Sequence, residues 1–205
     1  MRMSALEKHF VNSPRHAQRV ADHAYQLLSH IDCKSGWQYL DVGCGVGTAA
    51  RKIAATSELR VIGIDIDPKQ IEAAKSLAAR PNLQYKVMDA TKLEFTDGAF
   101  DVVASSMATH HIPDWGRALS EMLRVLRPGG YLIYSDFVVP SWLAKAAGLI
   151  RFVGFPTTSE LRLLRERAEL VVIHESHRFG KVDVIWRKNG RSNEAGPRNC
   201  TQRLS

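Results

Sequence analysis

Cysteine is too sparse to hold this chain together. Only Cys33, Cys44 and Cys200 occur in 205 residues, and neither their number nor their spacing fits a disulfide framework or a structural zinc site. Long apolar runs are also missing. The most apolar stretch, residues 137–155, is broken by Pro140, Lys145 and Arg151, whereas a spanning helix needs about 20 mostly apolar residues. The opening MRMSALEKHF lacks the apolar core of a signal peptide. No internal repeat is visible. These absences exclude a secreted disulfide scaffold and a membrane span, and the expected location is the cytoplasm. What is present, 45% hydrophobic and 24% charged residues, suits one globular domain rather than a disordered chain.

The net charge is +7, and its distribution says more than its total. Residues 188–205 hold four positive residues (Lys188, Arg191, Arg198, Arg203) against Glu194, among Gly, Asn and Ser. They read as a disordered basic tail. Such a tail either stays solvated or touches RNA or an anionic membrane surface.

Residues 1–36 read as a helical cap broken at Pro14, with Leu27, Leu28 and Ile31 on one face. From Trp37 the pattern turns to short apolar runs alternating with amphipathic segments. Strands are expected at 37–42, 61–65, 83–88, 100–105 and 131–137. Helices are expected at 48–55, from Asp67-Pro68 through Ile71, Ala74 and Ala78, and at 114–126, where Leu119, Met122, Leu123 and Leu126 share a face. Pro128-Gly129-Gly130 is expected to turn the chain into the fifth strand. This alternation predicts an α/β fold with a largely parallel sheet covered on both faces. A helix at 158–168 precedes two strands, 170–175 and 182–186, whose short link around Phe179-Gly180 forces them antiparallel. The main domain should span 37–187, with an apolar insert at 137–156.

The first strand ends in Asp41-Val42-Gly43-Cys44-Gly45-Val46-Gly47-Thr48. Glycines at alternate positions allow close backbone approach to a ligand, and the helix that follows favours a negative group at its start. A dinucleotide fingerprint needs Gly or Ala where Thr48 stands. Asp41 would repel a pyrophosphate and attract an ammonium or sulfonium group. The loop therefore favours S-adenosylmethionine over a nicotinamide dinucleotide. At the second strand end Asp65 can accept from both ribose hydroxyls, with Ile66 offering an apolar surface to adenine. At the third, Asp89 can accept from the adenine amino group beside the Ala90 N–H.

Taken together, YLDVGCGVGT (39–48), VIGIDIDPKQI (61–71), MDATKLEFTDGAFDVV (88–103) and MLRVLRPGGYLI (122–133) resemble the class I S-adenosylmethionine-dependent methyltransferases, in the compact small-molecule branch often called methyltransferase type 11. The resemblance covers about half the chain. It implies a three-layer Rossmann-like fold, a seven-stranded sheet with an antiparallel last strand, and S-adenosylmethionine as cofactor. It also implies cofactor binding by Asp41, Gly43, Gly45, Asp65 and Asp89. Cys44, Gly47, Ile66, Ala90 and Ser106 complete the expected lining, with no chemistry assigned to the Cys44 thiol.

The acceptor is less legible. His110 and His111 follow the fourth strand, where this fold places residues near the transferred methyl. Either could take a proton from the acceptor, or pack beneath the cofactor. The segment SSMA (105–108) departs from the Asn/Asp-Pro-Pro-aromatic tetrad of enzymes that methylate base amines in nucleic acid, so DNA is not an expected partner. No acid cluster for magnesium is present. His9, His16, His23 and His30 recur every seven residues, about 10.5 Å apart along a helix, too far for a shared metal. The insert carries Trp142, Ala146, Leu149, Ile150 and Val153 on one helical face. It suits an apolar lid over a lipid, quinone-like or polyketide acceptor, extra core packing, or shallow membrane attachment. The expected activity is methyl transfer to a small, apolar organic acceptor. A nicotinamide-dependent oxidoreductase and a non-catalytic protein binding RNA through its tail are the alternatives.

Overall fold

The computed structural model describes residues 14–77, 79–141, 155–178 and 180–190. Residues 1–13, Ala78, the insert face from Trp142 to Val153, Phe179 and the tail from residue 191 lie outside them, and so do His9 and Cys200. The chain runs α1 (Pro14–Leu28), β1 (Gln38–Val42), α2 (Thr48–Thr56), β2 (Arg60–Asp65), α3 (Pro68–Ser76), β3 (Leu83–Val87), β4 (Phe100–Ser106) and a 3-10 turn (Thr109–His111). It continues with α4 (Trp115–Val125), β5 (Leu126–Phe137), α5 (Thr158–Arg167), β6 (Leu170–Arg178) and β7 (Lys181–Lys188).

The seven strands order as β3-β2-β1-β4-β5-β7-β6. The pairs from β3 to β5 are parallel, whereas β7 is antiparallel to both β5 and β6. The period-two alternation of strand side chains splits the core between two faces. Tyr39, Val61, Val102 and Ile133 bury against one layer with Leu27 and Ile53, while Leu40, Ile64, Val103 and Leu132 bury against the other with Leu119 and Met122. This is the three-layer fold expected from the sequence.

Two boundaries differ from expectation. Pro14 opens α1, and the helix stops at Leu28, leaving residues 29–35 in turns and loop. Proline is well tolerated in a first helical turn, where its missing N–H has no partner to lose. Pro128-Gly129-Gly130 does not precede the fifth strand but sits inside it, as a bulge between the pairs Phe100–Leu126 and Val102–Tyr131. A Cβ on Gly130 would lie 2.8 Å from the Asp101 carbonyl oxygen, so the bulge requires glycine there.

Candidate functional site

The strand order reverses between β1 and β4, where open α/β sheets form a crevice at the carboxyl ends of their strands. A cavity of about 440 Å³ opens there. Of the residues nominated from the sequence, Asp41, Gly43, Cys44, Gly45, Asp65, Ile66, Asp89, Ala90, Ser106 and His111 line it, whereas Gly47 and His110 do not. The loop glycines divide accordingly. A Cβ on Gly43 would meet the Ala108 Cβ at 2.3 Å, and one on Gly47 would meet the Tyr85 hydroxyl at 2.3 Å. Protein packing accounts for both, and Tyr85 ties the loop down by donating to the Gly47 carbonyl oxygen at 3.0 Å. At Gly45 the nearest atom to an added Cβ is Gln70 Oε1, 3.9 Å away. Gly45 is the position where the missing side chain leaves room in the cavity.

The cavity wall is acidic. Asp41, Asp65, Asp67, Asp89 and Asp114 line it, with no lysine or arginine among the described residues. Asp41 is buried, and its Oδ2 has no hydrogen-bond partner among the described residues. Burial, reinforced by the Asp65 charge, pushes its carboxyl up to about 7, against the pull of the Ala50 N–H. Asp65 accepts from the Gly45 N–H at 3.0 Å through one oxygen and from the Asp67 N–H at 2.9 Å through the other. The sequence suggested a ribose partner and not this second task of fastening the glycine loop to β2. A carboxylate has about four lone-pair sites, so both tasks are compatible. Asp89 uses Oδ1 on the Thr91 N–H and hydroxyl, each at 2.8 Å. Ile66 is 62% exposed at the rim.

Beyond this rim, α1 contributes His16, Ala17 and Val20, and the segment after β4 contributes Met107, His111, Ile112 and Pro113. His110 lies beside His111, ring centroids 4.0 Å apart, and stacks on Phe155 at 5.7 Å. Its Nδ1 meets Asp136 Oδ1 at 2.6 Å. Asp136, at the carboxyl end of β5, is completely buried and also accepts from the Thr109 N–H, the Thr109 hydroxyl and the Phe137 N–H. Burial alone would raise its carboxyl, but the His110 and Thr109 hydrogen bonds hold it below its ordinary value. An ionised carboxylate only accepts, so His110 Nδ1 carries the hydrogen and donates it. Sequence reasoning missed Asp136. The available signal was an acid at a strand's carboxyl end, the rule that had already selected Asp41, Asp65 and Asp89.

Residues 40–134 match the family described as a methyltransferase domain. The chain is 34% identical over 152 residues to the 27-O-demethylrifamycin SV methyltransferase of Amycolatopsis mediterranei, a match covering 71% of this chain and 56% of that protein. Residues 40–134 thus carry a methyltransferase domain of the class I S-adenosylmethionine-dependent type. Among solved structures, an S-adenosylmethionine-dependent methyltransferase from Mesorhizobium loti superposes with a TM-score of 0.69 at 19% identity, over 84% of this chain and all of that one. The [4+2]-cyclase SpnF superposes at 0.72 and 19% identity, over 85% and 82%. A methyltransferase and a [4+2]-cyclase thus share this fold, so the fold alone does not fix the reaction.

S-adenosylmethionine is the cofactor of this family, and the site's chemistry fits it. The cofactor's ammonium group and sulfonium suit a cavity lined with five aspartates, one of them with a buried oxygen awaiting a donor. A pyrophosphate would meet only like charge there. Among the described residues no helix is long and apolar enough to cross a membrane, and no group of metal-ligating side chains forms. The described histidines of the seven-residue series go separate ways. His16 lines the cavity, His23 meets Asp183 at 2.9 Å, and His30 stacks on His174.

Proposed function

We propose that this methyltransferase transfers the methyl group of S-adenosylmethionine to a small, predominantly apolar organic acceptor. The observation that carries the reading is the unpartnered, buried Asp41 oxygen in a cavity that no lysine or arginine lines among the described residues. When bound, the cofactor supplies an electrophilic methyl group. Asp41 takes the ammonium group, directly or through water, and Asp65 accepts from the ribose hydroxyls. Ile66 packs on adenine, while Asp89 and the Ala90 N–H read its edge. Gly45 gives the room, and Cys44 and Ser106 line the cavity without reacting.

At the acceptor end, Ala17, Val20, Met107 and Ile112 make an apolar wall, consistent with a hydrophobic acceptor. The Amycolatopsis relative is named for 27-O-demethylrifamycin SV, a small organic acceptor, and the chain spans only about half the length of that relative. His111 stands in the wall and can accept a proton from a hydroxyl acceptor. His110, fixed by Asp136, orients it from behind. Holding the acceptor in line with the methyl is the larger part of the task.

Incubation with labelled-methyl S-adenosylmethionine and cell extract, followed by mass spectrometry of the labelled product, tests the reading and identifies the acceptor. Calorimetry with S-adenosylmethionine and NADH tests its electrostatic basis. Tight NADH binding without sulfonium binding would overturn it.

A further inference from the structure

The helix α1 is held unevenly along its length. From residue 21 onward it is seated by apolar burial, with Ala21, Ala24, Leu27 and Leu28 in the core. Before that point none of residues 15–20 is buried, yet His16, Ala17 and Val20 form part of the cavity wall. The wall therefore projects from a seated half, and whatever fixes the helix at the boundary also fixes the wall.

Two polar contacts sit at that boundary. Asp22 pairs with Lys52 on α2, a half-exposed pair of the kind that contributes little. His23 is placed differently. Its Nε2 meets Asp183 Oδ1 on β7 at 2.9 Å, and the same oxygen accepts from the Ser135 hydroxyl on β5 at 2.6 Å. Burial would raise the Asp183 carboxyl, but the His23 and Ser135 hydrogen bonds hold it below its ordinary value. An ionised carboxylate only accepts, so His23 Nε2 carries the hydrogen. From Ser135 the path continues, because its carbonyl oxygen accepts from the Met107 N–H at 2.8 Å. Met107 lines the cavity with a φ of 55°, a left-handed backbone that a residue with a side chain keeps only when its surroundings impose it. One run of contacts, His23–Asp183–Ser135–Met107, thus joins α1 to the turn after β4, the two elements that supply the apolar wall.

We infer that Asp183 is a positioning residue for the acceptor end, holding α1 and the Met107 turn at a fixed separation and so setting which acceptors fit between them. The inference rests on the acceptor reading above. Among the described residues none from β7 lines the cavity, so Asp183 acts through His23 and Ser135 without touching the acceptor.

Hydrogen exchange read by mass spectrometry, on the chain loaded with S-adenosylhomocysteine, tests the path. His23→Leu should speed exchange in residues 16–28 by roughly tenfold or more, the size of one hydrogen bond to a charged group. It should also speed exchange severalfold in the peptide that holds the Met107 N–H, which His23 does not touch. His23→Gln, which keeps a side-chain N–H, should restore both. The same loaded chains are titrated with N-phenyl-1-naphthylamine, a neutral, apolar fluorescent probe. His23→Leu should bind it severalfold more weakly than wild type and His23→Gln should match wild type. Affinity for S-adenosylhomocysteine should be the same in all three, since Asp41, Asp65 and Asp89 close other strands. Faster exchange confined to residues 16–28 would show that His23 only seats its own helix and would overturn the inference, as would equal, measurable probe binding by all three chains. A wild type that binds S-adenosylhomocysteine and not the probe would remove the apolar-acceptor reading, and the exchange data alone would then decide the coupling of the two elements. Asp183→Asn, which keeps the shape and loses the charge, repeats the comparison should the leucine variant fold poorly.

Discussion

Asp41 and Asp136 occupy equivalent places, at the carboxyl ends of β1 and β5, and both are buried. Their surroundings are opposite. Asp136 accepts from three backbone N–H groups, a hydroxyl and an imidazole, and its carboxyl is held below the usual range. Asp41 keeps an oxygen with no partner, and its carboxyl is pushed up to about 7. A saturated buried carboxylate organises its own chain, here the Thr109–His110 turn. An unsaturated one is poised for something the chain does not contain. The acceptor end of the cavity is thus built by internal pairing, and the cofactor end by leaving pairs open.

Substituting the saturated partner should have the largest effect. Asp136→Ala strands five donors and should cost about 3–5 kcal/mol, the range for removing one partner of a buried ionic network, measured by urea unfolding. A loss below about 1 kcal/mol would erase the contrast. Asp65→Ala releases the Gly45 and Asp67 N–H groups and removes the expected ribose acceptor. S-adenosylmethionine affinity should fall about a hundredfold or more, since hydrogen bonds to charged groups contribute about 1.5–3 kcal/mol each; unchanged calorimetric affinity would show that ribose binds elsewhere.

Asp41→Asn should act in two directions. The Asp41 carboxyl is raised in the folded chain, so its contribution to stability is present below the unfolded value near pH 4 and is lost as pH rises through about 7. Removing the charge should therefore stabilise the ligand-free chain by about 1–2 kcal/mol at pH 8, while S-adenosylmethionine affinity falls roughly tenfold. The same linkage predicts that wild-type affinity strengthens from pH 6 to 8, with proton release on binding near pH 7, and that Asp41→Asn flattens the profile. Calorimetry in two buffers of different ionisation enthalpy reads both. Tyr85→Phe should have the smallest effect, costing about 1 kcal/mol of stability through the lost bond to the Gly47 carbonyl, with affinity reduced no more than about threefold.

The strands, their alternation with helices and the acids Asp41, Asp65 and Asp89 were legible because each is local. Period-two apolar runs, capping residues such as Asp67, which accepts from the Lys69 N–H at 3.0 Å, and an acid beside a glycine loop are patterns within a few residues. The loop glycines were read from the sequence as room for a ligand, and packing adds a second reason at two of them. Gly43 and Gly47 answer to Ala108 and Tyr85, each far along the chain.

The sequence by itself determined the order of elements, the acidic character of the strand ends and the preference for a cationic nucleoside, since charge and periodicity are carried by residue type. Whether Asp65 and Asp136 find their donors depended largely on contacts between residues 20 to 27 positions apart. Satisfaction of a buried polar group is a property of the packed surroundings, so only the tertiary structure could separate Asp136 from Asp41.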